Sequence, residues 1–404
     1  MDMFSGIDYL RIDIANNAGV DKVSFDERIA WVHEYEEVLE DIVDIAKKPF
    51  QYLAAVMAYR DAQRGIPTGH LVEMDAGASG CQMMAVLTGC KTTAKNTGLT
   101  GDTCNDIYTV TTKVMSLILG EDVNIARDMV KSAQMTHFYG SKLKPKEVFG
   151  DGTDEYNAFH KANQTVAPGA CELRDILISA WNPWALHHEW TMPDGFDVFL
   201  PTMVQQDVKI EVDECEGAAF VYRHSINKGT EKGLSLAAHV CHATDSQIVR
   251  ELSRRCNYDV DKLNNIRALI LKHLSESTME SGKNIPRIQL IAEKSEFYSL
   301  VGIEFINENT IEDFSKPYLI GLLALVQDTL RYKSFPVVCI HDAFKAHANN
   351  CNRVRQVYID IMAEIAESNM LSYIMSQITG KYFEVEKYSH NLGDEIREGN
   401  YAVS

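Results

Sequence analysis

Positive charge is what this 404-residue sequence has least of: 39 lysines and arginines face 57 aspartates and glutamates, a formal net charge of −18. Such a surface repels polyanions over most of its area, so any phosphate it binds must meet a local cluster of cations. Much of the acid is concentrated, as in EYEEVLEDIVD from Glu34 to Asp44, which reads as a solvated helix face. No apolar run reaches the about eighteen residues that cross a bilayer, which argues against a membrane span. The opening MDMFSGIDYL has neither the basic region nor the apolar core of a secretory signal, so none is expected. The nine cysteines include no C-x-x-C pair, and their scatter and odd number predict free, buried thiols in a reducing cytoplasm. His239, Cys241 and His242 have no second ligand pair at zinc spacing, so no zinc site is expected. Internal repeats and low-complexity stretches are absent.

What is present is a chain able to build a sizeable core, with 46% apolar residues and length for two or three subdomains. Ser24-x-x-Glu27 has capping-box spacing and predicts a helix to about Lys48, with Ile29, Val32, Leu39, Ile42 and Val43 inward. LVEMD predicts a strand ending at Asp75, followed by a helix. Helices are predicted over 106–119 and 125–138, then loops and mixed segments over 142–200. Alternating apolar residues over 205–225 predict a hairpin turning near Glu216-Gly217. Further helices are predicted over 244–255, 260–275 and 316–332. FPVVCI reads as a buried strand entering a turn at His341-Asp342, followed by a second strand and a long helix from Asn352 to Ser376.

The segment ARDMVKSAQMTHFYG carries the most chemistry. Arg127 and Lys131 are four residues apart, on one face of a helix, where two cations can grip a polyphosphate. Tyr139 lies two turns beyond Lys131, so a base can stack near it while its triphosphate meets both cations. Gly140 permits close approach of a strand to the backbone. Taken alone, the same pattern also fits a surface helix with two solvated cations.

The pattern R-x-x-x-K-x-x-x-M-T-x-x-Y-G resembles motif B of the phage-type, single-subunit RNA polymerases, a family that includes the mitochondrial enzymes. LVEMDAGASGCQ, with Asp75, resembles motif A, and VVCIHDAF, with Asp342, resembles motif C. Tyr9 to Ile29 is similar to the segment before motif A, and Trp190 to Phe199 to the stretch before a promoter-specificity hairpin. HVCHATDS (His239 to Ser246) resembles the histidine-bearing segment, and NLGDEIREGNYAVS the C-terminal foot. These stand in the family's order from about residue 9 to the end.

The resemblance implies an α+β, right-hand-like polymerase with an antiparallel palm sheet and mostly helical fingers, lacking the N-terminal, thumb-bearing half. It implies a palm-proximal segment over 1–74, palm with motif A over 75–100 and fingers with motif B over 101–200. A hairpin and return follow over 201–250, then an insertion over 251–318 of unknown purpose, and palm with motif C and foot over 319–404. DNA-templated nucleotidyl transfer from ribonucleoside triphosphates is implied, with two Mg2+ ions on Asp75, the Ala76 carbonyl and Asp342. Ala76 stands where glycine is usual. Lys131 is implied as triphosphate ligand and general acid, Arg127 as phosphate ligand, and Lys22 as a further triphosphate contact. Ser132 stands where a second arginine often follows. Tyr139 and His242 match residues that favour a ribose hydroxyl, with a buried structural histidine the alternative for His242. Gly80 replaces the glutamate that closes the space beside C2′ in related DNA polymerases, and so leaves that space open. Tyr108 is placed either near a template base or in the core.

The family's D/T-x-x-G-R motif is missing, and no Gly-Arg dipeptide occurs. The chain is similar to the larger, catalytic chain of split, heterodimeric polymerases of Enquatrovirus-type phages. That likeness implies a second subunit supplying the thumb, the missing arginine and positive surface. It also implies an accessory DNA-binding recruitment factor, a DNA template and RNA product, and the cytoplasm of an infected bacterium. Two alternatives remain: a DNA polymerase or primase-like enzyme on the same scaffold, and a non-catalytic assembly subunit.

Overall fold

The computed structural model describes all residues except 121–122, 213, 216, 232–234 and 277–283. Its centre is a three-stranded antiparallel sheet in which Ala343–His347 lies between Leu71–Asp75 and Val338–Ile340. Alternation sends Val72, Met74, Phe344 and Ala346 into the core. Phe344 packs on Tyr358 of the helix Cys351–Glu367, ring centroids 5.6 Å apart. Beside this sheet runs the helix Ser79–Thr88, in which every residue from Gly80 on is buried. Its apolar sequence on all sides suits a central helix.

Two short connections aim the sheet's ends. The strand pair Val338–Ile340 and Ala343–His347 is joined by only His341 and Asp342, and His341 takes the left-handed conformation (φ 55°) that such tight hairpins demand. Past Asp75, Ala78 is also left-handed (φ 60°), a strained choice for a residue with a Cβ. Tertiary bonds hold this turn. The Ala76 amide donates to the Asp342 carbonyl at 3.2 Å, and Asp75 exchanges backbone bonds with Ser404. Gln82 donates to the carbonyls of Thr97 and Ala402 and accepts from Tyr358. The chain's last residues are therefore stitched to the strand that ends at Asp75.

Helix Arg127–His137 buries Val130, Ala133, Gln134 and His137, leaving Lys131 and Met135 on its outer side. Gln134 donates to Thr111 (2.9 Å) and Asn163 (2.7 Å), bolting this helix to Ile107–Leu119 and Asp154–Val166. Residues 260–276, 287–295 and 316–329 build a separate apolar cluster around Ile270, Phe314 and Leu322.

Several expected elements differ. The capping box at Ser24 and Glu27 forms, but the helix it opens stops at Glu34. Glu36–Ile45 is 3-10 helix with a kink at Val38, and only Val32 and Leu39 of the five expected inward residues are fully buried. Stretch 142–200 contains three helices, Leu143–Phe149, Asp154–Val166 and Pro168–Ser179, and a hairpin, His187–Thr191 with Asp197–Pro201. Two of its glycine and proline positions mark helix ends: Gly150 closes Leu143–Phe149, and Pro168 sits in a first turn, where its missing N–H costs nothing. The second hairpin is longer than expected, Met203–Val212 with Ala218–Asn227, and Glu216 at its expected turn lies outside the described residues. Helix Ser235–Cys256 begins nine residues before the expected start. Val338 and Ile340 are exposed, not buried, because their strand is a sheet edge with nothing over that face among the described residues. The long C-terminal helix is two, Cys351–Glu367 and Met370–Thr379. Between them Ser368 is extended, and the Asn369 amide turns away to the Ser295 carbonyl. All nine cysteines carry free thiols.

Candidate active site

The ends of these elements converge on a cavity of about 490 Å3. Asp75 enters from the end of its strand and Asp342 from the two-residue turn, with Ala76 between them. Arg127 and Lys131 project from the outer side of their helix, Tyr139 follows its last turn, and His242 comes from helix Ser235–Cys256. Lys22 reaches in from the segment after the first helix, Gly6–Ala18. Every residue singled out from sequence as catalytic, nucleotide-binding or metal-binding lines this one space. Tyr108, for which a core position was the alternative, lines it too, and His242 is exposed to it.

The cations are held in place. Asp106 caps helix Ile107–Leu119 and takes the Arg127 Nε hydrogen at 2.7 Å. This ion pair keeps the Asp106 carboxyl below its usual range despite burial. The Tyr108 ring faces both Arg127 (5.5 Å) and Lys131 (5.7 Å), a cation–π arrangement. Arg127 is thus fixed through its Nε, while its Nη1 meets the exposed Asp128 at 3.6 Å, a loose pair that a ligand phosphate can displace.

On the opposite side three carboxylates gather: Asp75, Asp342 and Asp245. Asp75 is open to the cavity but walled by protein, and this loss of water pushes its carboxyl up to about 6. The negative charges of Asp342 and Glu73 push the same way, against Lys48 and Lys22. Asp245 is also raised to about 6, first by burial and then by Asp342, with His341 opposing. Crowded carboxylates that resist ionising together are an electrostatic demand for a cation. Among the described residues no group of three or more His, Cys, Asp or Glu could hold a metal unaided. The donor set fits Mg2+, which takes one or two carboxylates and fills its remaining positions with water and phosphate oxygens.

Tyr139 and His242 face each other with ring centroids 5.4 Å apart. Gly80 explains the tyrosine's placement. A Cβ built there would lie 3.0 Å from the Tyr139 Cζ and closer still to its hydroxyl. The space beside Gly80, expected to be open, is occupied by the Tyr139 hydroxyl. Burial pushes that phenol's pKa up, so it stays protonated and can donate a hydrogen bond.

Sequence reasoning missed Asp106 and Asp245. Asp106 carried a signal, an aspartate at the N-cap of a predicted helix. Asp245 lies three residues after His242, which on a helix is the same face.

Residues 4–148 match the family model described as DNA-dependent RNA polymerase. A curated relative, DNA-directed RNA polymerase 1, mitochondrial, of Arabidopsis thaliana, is 28% identical over 204 residues. That match covers 38% of this chain and 21% of the relative. The chain thus spans about a fifth of the length of the relative it matches. The matched residues 4–148 carry Lys22, Asp75, Arg127, Lys131 and Tyr139, so this part of the chain is similar to DNA-dependent RNA polymerases.

Proposed function

We propose that this chain is the catalytic part of a DNA-directed RNA polymerase of the phage-type, single-subunit family. The observation that carries this reading is the single cavity in which paired carboxylates face an arginine–lysine pair across a tyrosine and a histidine. One wall suits the triphosphate, the other suits the metal-bound reacting oxygens, and the floor suits the sugar.

In chain extension a primer 3′-oxygen attacks the α-phosphorus, the bond to the bridging oxygen breaks, and pyrophosphate leaves with the electron pair. Such transfer needs positioning and charge neutralisation more than covalent help. Arg127, steadied by Asp106, holds outer phosphate oxygens, and Lys131 neutralises charge on the leaving group and supplies its proton. Asp75, Asp342 and the Ala76 carbonyl are the groups that would hold two magnesium ions. When bound, those ions activate the attacking oxygen and stabilise the leaving one. The Tyr139 hydroxyl, with His242 beside it, reads the ribose 2′-hydroxyl.

A chain of net charge −18 is poorly suited to grip template and product alone. A second chain carrying the thumb, the D/T-x-x-G-R arginine and positive surface completes the enzyme, as in the split polymerases of Enquatrovirus-type phages. An accessory DNA-binding protein recruits it to template. Among the described residues no helix is long and apolar enough to cross a membrane.

The second reading, a DNA polymerase on the same scaffold, is opposed by Gly80 and the tyrosine packed against it. Primer extension on an RNA–DNA scaffold with magnesium tests both, using the chain alone and with its co-purifying partner. Ribonucleotide extension abolished by Asp75→Ala is expected. Preference for deoxyribonucleotides would favour the second reading, and failure of extension and nucleotide binding together would refute catalysis.

A further inference from the structure

Behind the wall formed by Asp75, Arg127 and Lys131 lies a second cavity of about 270 Å3, which shares those side chains and Lys22 with the first. Its outer wall carries Lys47, Lys48, Asp21 and Glu73. The ion pairing here is unbalanced. Asp21 alone serves both Lys22 and Lys47, each at 3.4 Å. Glu73 alone serves both Lys48 at 3.0 Å and Lys345 at 2.6 Å. Lys345 lies outside the cavity, whose own lining sets Lys22, Lys47, Lys48, Arg127 and Lys131 against Asp21, Glu73 and Asp75. Asp13 also lines the cavity, but its carboxylate is turned onto His70 at 2.7 Å. In so acidic a chain, a corner with surplus positive charge against the catalytic cavity calls for an anionic occupant.

The pairs are also loose. Lys22 and Lys47 side chains are both 57% exposed, and long, hydrated ion pairs of this kind hold weakly. A polyphosphate with several charged oxygens competes well against one shared carboxylate.

We propose that this second cavity is a polyphosphate subsite that receives pyrophosphate as it leaves the catalytic cavity, with Lys47 its main contact beyond the residues shared by both spaces. Only the source of the pyrophosphate rests on the polymerase reading; the anion site stands on the charge arrangement. Pyrophosphate freed between Lys131 and Arg127 passes to Lys22 and Lys47 without leaving a cationic surface, and Asp21 resumes both lysines after it departs.

The test is calorimetric titration of the full chain with inorganic pyrophosphate in magnesium. Lys47→Ala is expected to weaken binding about fivefold to tenfold, on the order of 1 kcal/mol. Lys47→Arg should keep it within about twofold, and Asp21→Asn, which removes the competing carboxylate, should tighten it. In primer extension with the partner, Lys47→Ala should raise the product-inhibition constant of pyrophosphate by the same factor while the nucleotide KM stays put. Unchanged pyrophosphate binding in both Lys47→Ala and Asp21→Asn would overturn the subsite. A nucleotide KM that rises in parallel would overturn its release role, since the lysine would then serve the incoming triphosphate. Absence of extension by the unaltered protein would sink the polymerase reading instead, and the titration would still decide the subsite.

Discussion

Gly80→Ala is the sharpest perturbation the site offers, because one methyl group meets the residue assigned to sugar choice. The new Cβ would stand 3.0 Å from Tyr139 Cζ and closer still to its hydroxyl, whereas heavy atoms settle at about 3.5–4.0 Å, so the ring must retreat by roughly 1 Å or more. Helix propensity favours alanine by about 0.5–1 kcal/mol, while overpacking costs about 1–3 kcal/mol. The net loss of stability is therefore small, at most about 2.5 kcal/mol. The functional effect is more specific. On the proposed reading, a hydrogen bond from the Tyr139 hydroxyl to a ribose 2′-hydroxyl would contribute about 0.5–1.5 kcal/mol, roughly a 2- to 13-fold preference for ribonucleotides. Displacing the ring removes most of it. Competitive single-nucleotide incorporation of a ribonucleotide against its deoxy analogue measures the ratio directly. Gly80→Ala and Tyr139→Phe should each lower it by a similar factor, and the double variant no further than Tyr139→Phe alone. An equal further drop in the Tyr139→Phe background would refute the reasoning, because the methyl group would then act by another route.

Other perturbations reach other parts of the site. Asp75 is raised above the ordinary aspartate value, so between about pH 4 and 6 the folded protein holds a proton that the unfolded chain releases, and stability from this group falls as pH rises through about 6. Magnesium offsets that loss; the rise in melting temperature it produces should be larger at pH 7.5 than at pH 5, and Asp75→Asn should abolish the difference. Arg127→Lys keeps the charge but loses the planar edge held by Asp106, so nucleotide KM should rise about tenfold, on the order of 1.4 kcal/mol, in steady-state extension. Asp106→Asn should move KM the same way, and an unchanged KM in both would remove Arg127 from triphosphate binding. Gln134→Leu leaves the buried Thr111 and Asn163 groups short of a partner and should cost about 1–3 kcal/mol in denaturant unfolding, with little effect if those groups repair themselves.

Local pattern made much of the site legible. A β-rich pentapeptide ending in aspartate, an arginine and lysine one helical turn apart, and a tight turn at His341-Asp342 are local facts, because hydrogen bonding and side-chain period fix them within a few residues. The errors lie where local signals compete. Pro168 and the glycines near 150 read as loop residues until their places at helix ends are seen. The acidic run after Glu34 satisfies a helical period, yet it kinks at Val38. Val338 and Ile340 look like core residues, and only their edge position exposes them.

By itself the sequence determined the candidate residues, their elements and a shortage of positive charge that any phosphate chemistry must overcome. Distance across the fold was not in it. That Tyr139 fills the notch at Gly80, that Asp106 steadies Arg127 and that Asp245 joins the carboxylates all follow from how distant helices pack. The same is true of Asp21 and Glu73, each shared by two lysines. Side-chain identity sets what a group can do, but charge, burial and contact depend on neighbours tens to hundreds of residues away, and those are assigned only when the core closes.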